Sequence, residues 1–213
     1  MNGIMEESLV SWRLNGKPQT PFLCTGENLE ALLTGFLITS LGFPYAKNAL
    51  SIHQEKDVWL VETKAPLAEP PIGLERLAAL PPLEDGFQIS LSTLEALCGQ
   101  VMALDNSAGL HAVLLSDGEQ TVIGRDIGRH NALDKAVGMA ARQGLCMRQS
   151  ALCSSGRLSL EMLAKAAMAG IPVLATRKQV GSLCLAWGEK LHIALCRVGK
   201  DRQRWGWISR IPE

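Results

Sequence analysis

The feature that most constrains the fold is the alternation of short apolar runs with helical segments in the second half of the chain. Apolar runs occur at residues 150–153, 172–175 and 192–196, and the segments between them, around 158–169 and 182–190, have helical spacing. Short apolar strands separated by helices are typical of a mostly parallel sheet that is covered on both faces. We therefore predict a three-layer α/β/α domain in this half.

Further elements are predicted upstream of these runs. Ser92 and Glu95 have capping-box spacing at the start of a helix. One apolar face of that helix comprises Leu94, Leu97, Cys98, Val101 and Met102. Residues 111–115 and 121–123 flank a Ser-Asp-Gly turn, which predicts a hairpin. A helix over 131–143 follows, with Gly144 as its C-terminal cap.

The first part of the chain favours β-structure. Residues 8–14 alternate up to Asn15-Gly16, a hairpin-like turn, and residues 29–37 have helical spacing closed by Gly42. A strand is predicted at 57–61. Between 65 and 86 five prolines break regular structure, which predicts a linker. The expected organisation is a β-rich lobe with one helix and a linker over 1–86, an α/β domain over 87–213, and an α+β fold overall.

Composition excludes several classes of partner. Lysine plus arginine equal aspartate plus glutamate, 21 against 21, so no global field attracts nucleic acid or an anionic membrane. The start has no basic and apolar leader pattern, and no run approaches the roughly 20 apolar residues of a membrane span. A cytoplasmic protein is expected. The six cysteines are scattered without C-x-x-C or zinc-ribbon spacing, so we expect free thiols and no zinc.

Polar clusters follow three of the predicted strands. The first, residues 125–135 at a strand-to-helix junction, contains Arg125, Arg129, His130 and Asn131. The second contains Ser155 and Arg157, and the third spans 195–200. Strand ends and helix N-termini are where α/β folds bind anionic ligands such as phosphate. The alternative is structural: Asn131 caps its helix and the charges are solvated. Convergence of the three clusters at one edge of the sheet would favour binding.

One of these segments resembles a known family. Residues 126–135, Asp-Ile-Gly-Arg-His-Asn-Ala-Leu-Asp-Lys, closely resemble the DVGRHNALDK signature of the formate dehydrogenase accessory sulfurtransferase family, FdhD/NarQ. Residues 109–112 are similar to that family's G-x-H-A, and 155–162 and 169–174 continue the resemblance. A weaker similarity lies at 29–37. The resemblance covers most of the chain and is strongest after residue 105.

The resemblance implies a fold and a role. The C-terminal domain would have a cytidine-deaminase-like fold, and the protein would form a homodimer. Family members bind the molybdenum bis(molybdopterin guanine dinucleotide) cofactor and pass sulfur to it from a cysteine desulfurase, before its insertion into apo-formate dehydrogenase. The resemblance puts the cofactor at Arg129, His130 and Asn131 and at a C-terminal segment. That segment comprises Leu195, Cys196, Arg197, Val198, Gly199 and Lys200.

The chain departs from the family at the sulfur carrier. The family's C-x-x-C loop lies before the G-x-H-A strand, where this chain has only Cys98, within an apolar helical stripe. A buried, inert thiol is the expected state there. Cys153 and Cys196 stand beside Arg157 and Arg197, which favour a thiolate, although a core cysteine in mid-strand is the commoner case. No cysteine inherits the carrier role by alignment.

Three functions are therefore compared. The leading hypothesis is a maturation factor that binds the cofactor, with sulfur transfer lost or moved to another thiol. The second is a non-catalytic chaperone of the cofactor or the apo-enzyme. A zinc-dependent deaminase is rejected, since His111 is followed by Ala-Val and no Pro-Cys-x-x-Cys exists. His53 and His192 are expected to be structural or exposed, and Trp205 and Trp207 to belong to a final edge strand.

Overall fold

The chain forms two β-sheets and six α-helices within the residues that the computed structural model describes, which are 6–67, 74–84, 86–105 and 109–213. The N-terminal sheet has the order β2-β1-β5-β4, with β3 paired to β1. Its strands are β1 (Ser8–Leu14), β2 (Lys17–Pro18), β3 (Phe22–Cys24), β4 (Leu50–Glu55) and β5 (Val58–Thr63).

The hairpin predicted at Asn15-Gly16 is confirmed. Both residues have positive φ, 48° and 78°, as a tight two-residue turn between twisted strands requires. Strand β4 was not predicted from the sequence. It pairs antiparallel with β5 around Lys56, whose φ is 53° although lysine carries no turn signal.

Helix α1 (Leu29–Leu41) links the N-terminal segment to the C-terminal domain. As predicted, it ends at Gly42, which adopts the left-handed conformation. The backbone of α1 lies directly against that of α4 (Arg129–Gln143). A Cβ on Gly35 would lie 1.8 Å from the Asp134 carbonyl oxygen, and one on Gly138 would lie 1.9 Å from that of Ala31. Only glycine permits this approach, so α1 covers α4 as an additional layer.

The predicted linker contains a helix. Helix α2 (Leu74–Ala79) lies within it, and Leu77 is buried in the main core, so the prediction of irregular structure is wrong at this point. A short run between prolines can form a turn and a half of helix when one apolar residue anchors it. Pro70 and Pro71 lie outside the described residues. The division into two domains near residue 86 stays a prediction.

The C-terminal sheet has the order β11-β10-β9-β8-β6-β7. Its strands are β6 (His111–Ser116), β7 (Thr121–Asp126), β8 (Ala151–Ser154), β9 (Val173–Thr176), β10 (Ala194–Arg197) and β11 (Gln203–Gly206). Only β8–β9 and β9–β10 are parallel pairs, so the prediction of a mostly parallel sheet is wrong. The hairpins β6–β7 and β10–β11 add antiparallel strands at both sides, and β8 returns beside β6 in the antiparallel sense.

Helices cover both faces of this sheet, as predicted. Val113 and Leu115 of β6 pack toward α4 and α5 (Leu160–Ala169), while Ala112 and Leu114 pack toward α3 (Leu91–Asp105). Alternate residues of the strand face opposite layers, as a pleated strand requires. Helix α6 (Ser182–Lys190) packs on β10 and β11. The fold is therefore α+β, and its cytidine-deaminase-like type stays a prediction.

Local details confirm most of the predicted caps and edges. Gly144 caps α4 in the left-handed conformation. Helix α3 begins two residues earlier than expected, since the Ser90 hydroxyl, and not Ser92, accepts the Thr93 N–H at 3.1 Å. Strand β11 is an edge strand that includes Trp205. Trp207 follows it and stacks on His192 at 3.7 Å between ring centroids.

Candidate anion-binding site

The ends of several strands lie at one edge of the C-terminal sheet, here called the strand-end edge. Ser154, Thr176 and Arg197 are neighbours across β8, β9 and β10, because these strands are parallel and in register. The start of β6 and the end of β7 lie at the same edge, since His111 pairs with Asp126. The three polar clusters seen in the sequence therefore converge.

Three helices also begin at this edge. Helix α5 is capped by the Ser159 hydroxyl, which accepts the Met162 N–H at 3.4 Å. Helices α4 and α6 follow Gly128 and Gly181, which have no side chain to cap the first turn. Free N–H groups and the positive ends of helix dipoles favour an anion at such a position.

Gly156 brings two cationic or titratable side chains together. A Cβ at this position would lie 3.4 Å from His111 Nδ1 and 3.5 Å from Arg129 Cδ. His111 comes from the start of β6 and Arg129 from the first turn of α4. The glycine therefore leaves space in which both side chains reach the same point of the edge.

Four buried nitrogen atoms at this edge lack a hydrogen-bond partner within the described chain. They are His111 Nδ1, Arg125 Nε, Arg129 Nε and His130 Nε2. A buried polar group without a partner costs about 1–3 kcal/mol, and more if it is charged. Since folded proteins seldom leave such groups unpaired, His111 Nδ1 and Arg129 Nε, whose side chains meet at Gly156, indicate a place for a ligand that accepts hydrogen bonds. Arg125 belongs to the polar junction that the sequence indicates, but on β7 it pairs with Ala112 and shares the α3 face of the sheet with Ile123.

The surroundings of His130 favour the neutral form of its imidazole ring. Burial lowers its pKa, and the nearby charge of Glu161 opposes that effect. His130 Nε2 lies 3.1 Å from Glu161 Oε2, although the two groups are not aligned for a hydrogen bond. An anion bound beside this ring would raise its pKa and gain a charged donor.

Asn131 attaches the N-terminal segment to α4 and does not point to solvent. Its Nδ2 donates to the Leu23 carbonyl at 2.9 Å and to Asp126 Oδ1 at 3.0 Å. Asp126 Oδ1 also accepts the Gly128 N–H, which fixes the loop before α4. Asn131 and Asp126 therefore position the first turn of α4. The alternative expected for Asn131, that it caps this helix, is wrong, because Gly128 is the N-cap residue.

Three residues of the family-like signature, Asp126, Asp134 and Lys135, are buried in ion pairs that stabilise the fold. Lys135 pairs with Asp126 and also donates to the Thr25 hydroxyl at 2.6 Å. Asp134 pairs with Lys165 at 2.8 Å and accepts a hydrogen bond from Thr39. Burial raises the pKa of Asp134, and Lys165 counteracts it. Both ion pairs attach α1 or the segment before it to the C-terminal domain.

The second predicted cluster divides into two roles. Ser155 is buried, and its hydroxyl accepts the Ala112 N–H at 3.0 Å, which extends the β6–β8 pairing. Arg157 is exposed and makes no hydrogen bond or ion pair with the described residues. Of the two, only Arg157 has a side chain free to meet a ligand.

The third predicted cluster is also only partly accessible. Leu195, Cys196 and Val198 are buried, so a ligand could reach only their backbone. Arg197 is half-buried, and Gly199 and Lys200 are exposed at the edge. Lys178, which the sequence did not single out, follows β9 at the same edge and is exposed. The only indication of Lys178 in the sequence is that it follows the strand predicted at 172–175.

Five of the six thiols are buried, and all six cysteines lie in the described residues. Cys98 is buried, as predicted, on the side of α3 that faces the sheet. A hydrogen bond with Cys98, together with burial, raises the pKa of Cys153 well above its ordinary value, and burial raises that of Cys196 to about 12. These thiols stay protonated despite the nearby arginines. Cys146 is exposed, but it follows α4 at the opposite edge of the sheet.

Surface cavities occur away from the strand-end edge. One of about 440 Å³ lies between the start of α1 and the end of α4, lined in part by Trp59 and Met139. Its charged side chains, Glu30 and Arg142, pair with each other. We favour the strand-end edge as the candidate site, because unpaired polar atoms are found there.

Among the described residues, no helix combines the length and apolar character that a membrane crossing demands. Within the same residues, no three histidine, cysteine or acidic side chains are grouped so that they could bind a metal ion.

Comparison with known proteins identifies the family. The FdhD/NarQ family model matches residues 72–204. The chain is 30% identical over 231 aligned positions to the sulfur carrier protein FdhD of Streptomyces coelicolor, covering 90% of this chain and 82% of that protein. It is 39% identical over 121 positions to the protein of the same name from Mycolicibacterium paratuberculosis, covering 54% of this chain but only 44% of the relative.

The fold is also found in a solved structure. The crystal structure of a protein assigned as a formate dehydrogenase accessory protein, from Desulfotalea psychrophila, superposes with a TM-score of 0.83. The match covers 97% of this chain and 90% of the other at 24% identity, which supports the fold. With the family match over most of the chain, the conclusion is direct: this chain belongs to the FdhD/NarQ family.

Proposed function

We propose that this protein is a maturation factor for formate dehydrogenase that binds the molybdenum bis(molybdopterin guanine dinucleotide) cofactor as cargo at the strand-end edge. The observation that carries the proposal is the convergence of His111 and Arg129 at Gly156, where His111 Nδ1 and Arg129 Nε are buried without a hydrogen-bond partner among the described residues. The phosphate groups of a dinucleotide supply the acceptor oxygens that these donors lack. The starts of α4 and α6 add unpaired N–H groups.

The test uses guanosine diphosphate, which reproduces the guanosine and pyrophosphate of the cargo. Calorimetric titration of the purified chain should detect binding, and Arg129→Gln should weaken it. Loss of one charge-assisted hydrogen bond is worth about 1.5–3 kcal/mol, or a factor of roughly 10–150 in affinity. The matched control is Arg148→Gln, an exposed arginine at the opposite edge of the sheet, which should leave affinity unchanged. Equal affinity of the wild type and Arg129→Gln for guanosine diphosphate would contradict the proposal.

The second part of the proposal concerns sulfur. The relatives are called sulfur carrier proteins, and a carrier needs an accessible, nucleophilic thiol. Five thiols are buried here, and the exposed one, Cys146, is at the wrong edge of the sheet. These observations favour the version of the proposal in which the chain holds the cofactor or the apo-enzyme without carrying sulfur itself.

Persulfide detection separates the two versions. The purified protein is incubated with a cysteine desulfurase and cysteine, and each cysteine-containing peptide is then weighed by mass spectrometry. The holder version expects no gain of a sulfur atom on any peptide. A gain on Cys146, abolished by Cys146→Ser, would make the protein a sulfur carrier with a relocated thiol.

The proposal includes partners that follow from the family. They are a cysteine desulfurase, an apo-formate dehydrogenase and a second copy of this chain in a homodimer. Light scattering coupled to size-exclusion chromatography tests the dimer, and co-purification with each tagged partner tests the others. A monomer that co-purifies with neither partner would contradict this part of the proposal.

A further inference from the structure

The N-terminal sheet has one covered face and one open face. On β1, Trp12 and Leu14 are buried and share the main core with Leu33 and Leu37 of α1. Residues that alternate with them along β1, such as Leu9, point the other way, as a pleated strand requires. Helix α1 therefore covers one face of the sheet, and the side chains on the opposite face, here called the outer face, are open to solvent.

Two exposed leucines lie side by side on the outer face. Leu9 of β1 is 72% exposed, and Leu23 of β3 is 54% exposed. The two residues are direct partners in the antiparallel pairing of β1 with β3. Side chains directly opposite each other in such a pair have Cβ atoms about 4.5–5.5 Å apart, so the two leucines form one continuous apolar surface.

Two aliphatic residues of β5 extend this surface. Val58 and Leu60 are partly exposed and pair in register with residues of β1 that also lie on the outer face. Because Val58 pairs with Ser11, it lies diagonally from Leu9 and within reach of that side chain. The four residues that make up this surface, here called the apolar strip, are Leu23, Leu9, Val58 and Leu60.

Polar residues surround the apolar strip. Arg13 of β1 and His53 and Glu55 of β4 lie on the same face and are exposed. A contiguous apolar patch with a polar rim is typical of a protein or membrane interaction site. A face that binds an anionic membrane carries an excess of lysine and arginine. This rim has both signs of charge, so a protein partner is favoured.

The size of the outer face indicates a transient partner. Four strands spaced about 4.8 Å apart and up to about six residues long make a face of roughly 20 by 20 Å, or about 400 Å². Two copies of this chain packed face to face would bury roughly 800 Å² in total, below the roughly 1,200–2,000 Å² of a stable interface. The outer face is therefore too small to hold a dimer by itself, and it fits a different protein that binds and leaves.

The apolar strip adjoins the first turn of α4. The Leu23 carbonyl accepts a hydrogen bond from Asn131 Nδ2 at 2.9 Å. Arg129, whose side chain reaches the candidate site at Gly156, lies in the same turn as Asn131. A protein seated on the strip would therefore lie next to a ligand bound at the strand-end edge.

We propose that the apolar strip is the docking surface for the protein that receives the cargo from the strand-end edge, an apo-enzyme that presents aliphatic side chains to it. This inference rests on the proposed function and deepens it, since it names the surface on which the recipient binds. A small interface suits this role because weak complexes dissociate fast, which frees the chain after transfer.

The experiment measures binding of the full chain to purified apo-formate dehydrogenase immobilised on an optical biosensor. The wild type should bind, and Leu9→Asp should weaken binding at least about tenfold, because it removes an apolar contact and buries an unpaired carboxylate. Leu9→Thr keeps the β-propensity of the strand and should weaken binding by a smaller factor. The matched control is Leu183→Asp, at a leucine of α6 that is 58% exposed, and it should bind like the wild type.

Failure of the docking surface is distinguishable from failure of the proposed function. Leu9→Asp should keep the wild-type affinity for guanosine diphosphate, which Arg129→Gln should weaken. Equal binding of the wild type and both Leu9 variants to the apo-enzyme, or no binding by the wild type, would overturn the docking surface and leave the nucleotide result standing. A dimer that Leu9→Asp converts to a monomer in light scattering would assign the strip to a second copy and also overturn it. Thermal unfolding of each variant verifies that the fold is intact.

Discussion

Lys135 Nζ lies 2.7 Å from Asp126 Oδ2, and both side chains are completely buried. The same carboxylate oxygen accepts the Thr25 N–H at 3.1 Å, while Lys135 donates to the Thr25 carbonyl at 3.1 Å. The ion pair therefore joins the end of β3 to the start of α4. Two residues of the family signature act here as an attachment between the N-terminal segment and the candidate site.

Removing either member of this pair should destabilise the protein strongly. Asp126→Asn and Lys135→Met each leave an uncompensated buried charge, which costs about 3–5 kcal/mol in the free energy of unfolding. Urea denaturation measures the loss, and the double variant should lose less than the sum of the single ones. The matched control is Glu30→Gln, which breaks the exposed pair with Arg142 and should cost no more than about 1 kcal/mol. Comparable losses for the buried and exposed pairs would contradict this reading.

The contact between α1 and α4 predicts an inversion of normal helix propensity. Alanine usually stabilises a helix interior by about 1 kcal/mol relative to glycine. Gly35→Ala and Gly138→Ala should instead lower the free energy of unfolding by at least about 2 kcal/mol, since each new Cβ would overlap the facing backbone. Gly99→Ala in α3 meets only a flexible arginine at 3.7 Å and should be neutral or stabilising. Equal effects at all three positions would disprove the close contact.

His130 predicts a loss of stability at acidic pH. Its pKa in the folded state is lowered from 6.5, chiefly by burial, so the folded protein binds this proton less well than the unfolded chain does. The corresponding stability is present above pH 6.5 and is lost as the pH falls through the folded pKa. Between about pH 7.5 and about pH 5, urea denaturation should show a smaller decline for His130→Gln than for wild type.

Glu161→Gln provides the opposite control for this pH dependence. Glu161 raises the pKa of His130, so its removal lowers that pKa further and should steepen the acid decline. The variants His130→Gln and Glu161→Gln therefore shift the pH profile in opposite directions. If the wild type and both variants lost stability equally as the pH fell, the lowered pKa of His130 would be refuted.

Thiol accessibility predicts a simple titration. In the native protein one cysteine, Cys146, should react rapidly with a chromogenic disulfide reagent, and the other five should react only after denaturation. Burial raises the pKa of Cys24 to about 11, which further suppresses its thiolate. Cys146→Ser should abolish the rapid phase. Rapid reaction of a second thiol would show that one of the buried cysteines becomes accessible in solution.

Local patterns predicted most of the secondary structure. The hairpin at Asn15-Gly16, the αL ends of α1 and α4 and the strands at 151–154, 173–176 and 194–197 follow from turn residues and hydrophobic periodicity. Strand β4 and helix α2 were not predicted. Strand β4 is partly polar and turns at Lys56, and α2 is short and lies between prolines, so each depends on contacts with distant residues.

The candidate site was predictable only in outline. Clusters after strands indicated Arg129, His130, Arg157 and Lys200, but the same logic also selected Cys196, whose side chain is buried. Arg125 belongs to the polar junction that the sequence indicates, but the face of the sheet on which it lies depends on the pairing of β7 with β6. Lys178 was not singled out, and its one local signal is that it follows a predicted strand.

The sequence by itself determined the element types, the alternation of strands with helices and the family signature, because these depend on residues near one another in the chain. Only the tertiary structure decided that two carboxylates of the signature form buried ion pairs, and that the sheet is mixed. It also decided that five thiols are buried and that His111 and Arg129 converge at Gly156. These properties arise from contacts between residues far apart in the chain, such as Thr25 and Asp126, which are 101 positions apart. Local periodicity carries no information about such contacts.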